Sequence, residues 1–289
     1  MNFNDDNIEE IFDFQSVYND AYVDLDVEMP RPEPLISIGT NSKGYDINVL
    51  TAGEMSAIVA PSKSMKSFFK SALISRYIGG SSDNLFPNIK THRTDDFGII
   101  DIDTEQGKFY TQKTFRRVHK MNNFVYQNYK GFAMRKYNAD ERVNFTDELL
   151  KRQIEIFGKP IKLVCIDGIA DYVDDTNDIV MSKRISDKLM RWTDEYNLHI
   201  CVVIHKLGGS NKPVGHLGSF ITKKAETVFL LERDEDRKVI NVQTPFSRGE
   251  QFEPFDFAIN NDGLPYEVTN LIIGQDKIIT PNKEQDIPF

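Results

Sequence analysis

Cysteine is nearly absent from this chain: its 289 residues include only Cys165 and Cys201, each inside an apolar run. That argues against a disulfide framework and against a Cys-based zinc site. No apolar run approaches the ~18 residues that a membrane span needs. The opening from Met1 to Glu10 is acidic where a signal peptide would be basic. These absences point to a cytoplasmic protein with no membrane partner. Positive charge is missing from residues 1–30, which carry nine carboxylates and no Lys or Arg. The other 35 acids equal the 35 basic residues, so the net charge of −9 belongs to the N-terminal segment and the body is neutral. What is present is a globular composition, 40% apolar and 27% charged, over a length that suits one α/β domain or two small ones.

The acidic segment also holds Ile8, Ile11, Phe12, Phe14, Val17 and Tyr18 at roughly helical spacing. Two readings stay open: a short amphipathic helix that docks on a partner or on the body, and a solvated arm that keeps the protein soluble. Pro30-Arg31-Pro32-Glu33-Pro34 reads as a stiff linker, because each Pro biases itself and its predecessor toward extended backbone. From about residue 35 short apolar runs alternate with helical patterns, which predicts parallel strands joined by crossover helices. Strands are expected at Met55–Ala60, Phe97–Asp103, Ile161–Ile166 and His199–Ile204, with helices over Lys66–Tyr77, Thr146–Phe157 and Ser182–Asn197. After Ala225 closely spaced strands (Thr227–Leu231, Lys238–Thr244, Phe255–Ile259) predict an antiparallel flank. Residues 106–145 give the weakest pattern; Arg116, Arg117, His119 and Lys120 there read as a basic patch or, more simply, a solvated helix face.

Between the first of these strands and its helix lies Ala60-Pro61-Ser62-Lys63-Ser64-Met65-Lys66-Ser67. Strand, five-residue turn, Lys, Ser and helix is the layout of a phosphate-binding loop, where orphan N–H groups and the helix dipole favour an anion. Lys66 would reach the β- and γ-phosphates of ATP, and the Ser67 hydroxyl would ligate Mg²⁺. Both glycines of that pattern are missing, with Ala60 and Met65 in their places. Met65 is the graver loss, since a side chain there restricts the backbone that wraps the phosphates. Lys63 adds a cation that could partly replace the lost backbone donors. Three further strand tips carry matching chemistry: Asp167 after an apolar strand, Asp101-Ile102-Asp103-Thr104-Glu105 after the second, and His205-Lys206 after another. In open α/β sheets ligands bind at that carboxyl edge.

With these residues in place, the chain resembles a RecA-like P-loop ATPase, specifically the RepA-like branch of plasmids, phages and mobile elements. The resemblance covers about residues 35–260 and is strongest over Leu163–Asp171, Asp175–Asp178, His205 and Gly215-His216-Leu217-Gly218-Ser219. It implies an α/β fold, a mainly parallel sheet flanked by helices with an antiparallel C-terminal extension. It also implies Asp167 as the Walker B acid holding a metal-bound water, Glu105 as the catalytic acid that orients the attacking water, and His205 as the γ-phosphate sensor. Ring assembly, with six subunits as one option, and single-stranded DNA in the channel follow from the same likeness, as does residence in a bacterial host cytosol. Arg248, in Phe246-Ser247-Arg248-Gly249, stands where such rings supply a finger to the neighbouring site; an ordinary turn cation is an equal reading, and Lys223 and Lys224 are secondary options. The loop Lys206–Gly218, with Gly208, Gly209, Lys212 and Gly215, would face the channel, although the neutral body lacks the basic excess of a dedicated DNA binder.

The chain ends Asp286-Ile287-Pro288-Phe289, which resembles the C-terminal tip of bacterial single-stranded DNA-binding proteins and implies partners that accept such tips. The division expected is an arm and linker over 1–34, the RecA-like domain over 35–273 and a tail over 274–289. Two functions compete: an ATP-hydrolysing, helicase-like ring protein in replication or mobilisation, and a catalytically degenerate adaptor that recruits replication proteins through its arm and tip.

Overall fold

In the computed structural model residues 12–62, 64–93, 97–206 and 215–268 are described. The elements run in chain order as α1 (Phe14–Ala21), β1 (Pro34–Thr40), β2 (Asp46–Thr51), β3 (Met55–Ala60), α2 (Lys66–Ile78), β4 (Ile89–Thr91), β5 (Gly98–Asp103), α3 (Lys108–Asn122) and β6 (Tyr129–Ala133). They continue as α4 (Ala139–Lys151), α5 (Gln153–Phe157), β7 (Ile161–Asp167), α6 (Ile179–Glu195), β8 (His199–His205), α7 (Gly215–Lys224), β9 (Thr227–Asp234), β10 (Val239–Ser247), β11 (Phe255–Ile259) and β12 (Pro265–Val268). Residues up to Arg31 form one unit and those from Pro32 onward another.

Nine strands form the main sheet in the order β12-β11-β10-β9-β3-β8-β7-β5-β6. From β9 to β6 every neighbouring pair is parallel, and from β9 to β12 every pair is antiparallel. The parallel strands are apolar throughout because both faces are covered. Alternate residues feed two cores: Ile58, Ile99, Leu163 and Val203 pack toward α2 and α3, while Val59, Ile100, Val164 and Val202 meet Leu149, Leu189, Trp192 and Leu217 of α4, α6 and α7. Full burial of one such side chain contributes about 1.5–3 kcal/mol. Cys165 and Cys201 lie side by side in the register of β7 and β8 and are buried free thiols.

The α/β class, the parallel centre and the antiparallel flank agree with the sequence reading. Three local expectations need correction. The helix expected over Thr146–Phe157 is two helices, α4 and α5, broken at Arg152; α4 starts earlier, at a capping box in which Asn138 and Glu141 bond each other's backbone N–H. The loop expected to run to Gly218 ends sooner, because Leu217 and Ile221 bury one turn apart in the second core and begin α7 at Gly215. Lys206 bonds Glu232 at 3.0 Å, and residues 207–214 lie outside the described residues. A small antiparallel sheet, β2-β1-β4, is absent from the sequence-based expectation. In the weak region, α3 and β6 extend the main sheet at its β5 edge.

In the N-terminal unit Asp13 caps α1 by accepting from the Ser16 N–H at 3.1 Å. Phe14, Tyr18 and Tyr22 stack at 5.9 and 6.1 Å, and no α1 residue is buried. Ile8 and Ile11 lie outside the described residues, as do Lys63 and the tail residues Asp286, Ile287, Pro288 and Phe289. Among the described residues no helix is long and apolar enough to cross a membrane.

Candidate functional site

Register places the expected residues together. Ala60 pairs with His205 across β3 and β8, and Asp103 with Asp167 across β5 and β7, so all four strand tips end level. Above them opens a cleft of about 520 Å³, lined by Ser64–Phe68, Glu105, Gln106, Thr114, Arg117, Asp167, His205 and Arg233.

Met65 has φ 59° and ψ 26°, the left-handed region, and directly precedes α2. This is the conformation a glycine adopts without strain; a side chain held there costs about 1–2 kcal/mol. The turn therefore keeps the shape that the missing glycine would give, and its backbone still presents the first N–H groups of α2 to the cleft. The restriction expected from Met65 is met by strain rather than by a different loop.

The Lys66 ammonium donates to the Pro61 carbonyl at 3.0 Å and lies 3.2 Å from His205 Nδ1. Burial lowers its pKa, against the opposing pull of Glu105 and Asp167. His205 Nε2 is 3.0 Å from Glu105 Oε1. A neutral imidazole protonated on Nε2 satisfies both contacts, accepting from Lys66 and donating to Glu105. The Ser67 hydroxyl donates to Asp167 Oδ2 at 2.8 Å. Gly168 follows with φ +97°, and a Cβ there would collide with the Thr104 hydroxyl, so the turn after Asp167 requires glycine. Ser62 approaches His205 at 3.4 Å.

Beneath the loop lies an ion pair that sequence reasoning passed over. Lys70 and Asp101 are fully buried and 2.7 Å apart; Lys70 is also 3.3 Å from Asp167, and the Tyr129 hydroxyl donates to Asp101 at 2.8 Å. Burial disfavours the ammonium, but Asp101 and Asp167 together raise the Lys70 pKa and hold it charged. The signal was an acid inside Gly98-Ile99-Ile100-Asp101-Ile102, an apolar strand that needs a buried partner.

Ser67 and Asp167 give the oxygen-only, sparse donor set that suits Mg²⁺, an ion that keeps several waters and takes few protein ligands. No group of three or more His, Cys, Asp or Glu among the described residues forms a denser metal site. Arg248 is not brought to this cleft. It bonds both oxygens of Glu54 at 2.7 Å and the Lys224 carbonyl at 2.6 Å. Glu54 precedes β3, so Arg248 stands at the end of the sheet opposite the loop.

No family model matches the chain, and no curated protein does. Among solved structures, the ATPase domain of a helicase superposes with a TM-score of 0.52 at 13% identity, covering 75% of this chain and 85% of that one. The fold is RecA-like.

Proposed function

We propose that the chain is a Mg²⁺-dependent ATP-binding protein and an ATPase. Its place is in DNA replication or mobilisation of a phage or mobile element, in the manner of RepA-like ring proteins. The observation that supports this most is the meeting of Lys66, Ser67, Glu105, Asp167 and His205 at one strand edge around a cleft of about 520 Å³. Nucleotide binding draws further support from the likeness to an ATPase domain.

In this reading Ser67, and Asp167 through water, hold Mg²⁺, which when bound neutralises charge on the β- and γ-phosphates. Lys66 leaves Pro61 and His205 for those phosphates. His205 then has a free Nδ1 to report the terminal phosphate, while Glu105 orients the attacking water and accepts its proton. The subunits close a ring, hexameric in the simplest case, with single-stranded DNA in the channel. Arg248 is the residue that would reach a neighbour's site, exchanging Glu54 for phosphate. Asp286-Ile287-Pro288-Phe289 would engage proteins that accept single-stranded DNA-binding-protein tips.

Steady-state ATP turnover with and without single-stranded DNA tests the proposal. Turnover that Glu105→Gln removes while ATP still binds supports it. One observation favours a second reading, an adaptor without turnover: Met65 holds strain where a glycine would relieve it. Absence of turnover in the native chain, with tip-dependent partner binding retained, would select the adaptor.

A further inference from the structure

Arg117 sits in the middle of α3, away from every strand tip, yet it lines the cleft. Its guanidinium lies 3.6 Å from the centre of the Phe68 ring, and Nη1 donates to the Ser67 carbonyl and the Ser71 hydroxyl, both at 3.2 Å. Burial lowers its pKa to about 10, with the charges of Asp101 and Asp167 acting in the other direction from a distance. Apart from Lys66 on the loop itself, the neighbouring cations have a carboxylate within bonding reach. Lys70 has Asp101, Lys206 has Glu232, and Arg233 has Glu235 at 3.1 Å. Arg117 forms no ion pair among the described residues.

A half-buried guanidinium without an anion is costly unless something else holds it. Here the holder is a ring: stacking on Phe68 supplies about 0.5–2 kcal/mol and fixes the plane of the fork. Nη1 is used on the first turn of α2, but a guanidinium has five N–H donors, and Nε and Nη2 make no hydrogen bond among the described residues. The backbone it grips is that of Ser67, whose hydroxyl faces Asp167. Arg117 thus approaches the phosphate loop from the side of Glu105 and Asp167, where the end of a polyphosphate would lie.

We propose that Arg117 binds the terminal phosphate of a nucleoside triphosphate, as a cation that α3 supplies within the same chain, with Phe68 as its positioning residue. The proposal rests on the nucleotide reading of the cleft given above. A bidentate guanidinium suits a phosphate with two free oxygens, and a diphosphate would stop short of it.

Calorimetric titration of the full chain with Mg²⁺ plus a non-hydrolysable ATP analogue, and with Mg²⁺ plus ADP, tests it. Arg117→Ala should weaken the triphosphate analogue about tenfold or more, the size of one charged hydrogen bond, and change ADP affinity less than about twofold. Arg117→Lys, which keeps the charge and loses the fork, should show a smaller loss with the same preference, as should Phe68→Leu. Thermal melts identify a variant that fails to fold, in which case Arg117→Lys carries the test. Equal losses for both nucleotides, or no loss for either, overturn the proposal and leave the nucleotide reading standing. A native chain that binds neither nucleotide, indistinguishable from Lys66→Ala, overturns the nucleotide reading itself.

Discussion

Met65 and Lys70 show how single positions decide this site. Met65→Gly removes a left-handed strain of about 1–2 kcal/mol, but it also removes a side chain packed on the first core and adds freedom to the unfolded chain. These terms oppose, so the melting temperature should stay nearly constant. ATP affinity measured by calorimetry should rise, because the loop no longer resists the wrap around phosphate. Lys70→Met leaves Asp101 buried without a cation and should cost about 3–5 kcal/mol in urea denaturation. Adding Asp101→Leu should recover much of that loss, since the double variant buries no unpaired charge. Recovery that fails would mean that Tyr129 and Asp167 depend on the pair for more than its charge.

At the scale of elements, the turn from β2 into β3 meets β8 and β9 through His199 and Glu226. The His199 Nδ1–H faces the Thr51 carbonyl at 2.8 Å, and its Nε2 lies 2.9 Å from the Ser56 hydroxyl. Burial holds its pKa down at about 4. Glu226 accepts from the Thr51 hydroxyl at 2.5 Å, its Oε2 is buried without a hydrogen-bond partner among the described residues, and burial pushes its pKa up to about 7. The native His199 binds its proton more weakly than the unfolded chain does, so its contribution to stability is lost as pH falls through about 6.5 to 4. The native Glu226 binds its proton more tightly, so its contribution is lost as pH rises through about 4.5 to 7. The two slopes oppose over the shared window. Glu226→Gln should therefore be more stable than the native chain at pH 8 by on the order of 3 kcal/mol, with the difference vanishing near pH 4.5 in urea titrations.

Elements that bury both faces are legible in the sequence: the expected bounds of Met55–Ala60 and Phe255–Ile259 match β3 and β11 to the residue. Those stabilised by long-range pairing are not. β1, β2 and β4 are short and partly exposed, and their partners lie far apart in the chain, so local periodicity cannot reveal them. The strand-tip residues of the site are legible because chemistry at a strand end has few structural uses. Arg117 is not, because a cation on a helix looks solvated until the fold turns it inward; Phe68 at the start of α2 is the sole hint.

For the whole molecule, the sheet has two chemically different ends. The loop end gathers Lys66, Glu105, Asp167 and His205, while the other holds Arg248 against Glu54. The Arg248–Glu54 pair is exposed, so Arg248→Ala should change stability by no more than about 1 kcal/mol. If Arg248 serves a neighbouring subunit, the same variant should lose ATP turnover while keeping ATP affinity. Charge is divided as unevenly as chemistry. Removing residues 1–30 takes the net charge from −9 to zero. That truncation should raise affinity for single-stranded DNA at low salt in fluorescence anisotropy titrations, and the gain should fade as salt screens the arm.

The left-handed turn at Met65 reaches past this chain. Letter-based recognition of anion cradles discards any sequence in which methionine replaces the hinge, although the peptide plane still points the same way. Surveys keyed to the sign of φ just ahead of a helix, rather than to the identity of the amino acid there, would recover such cradles from folds whose alignment scores have decayed to nothing.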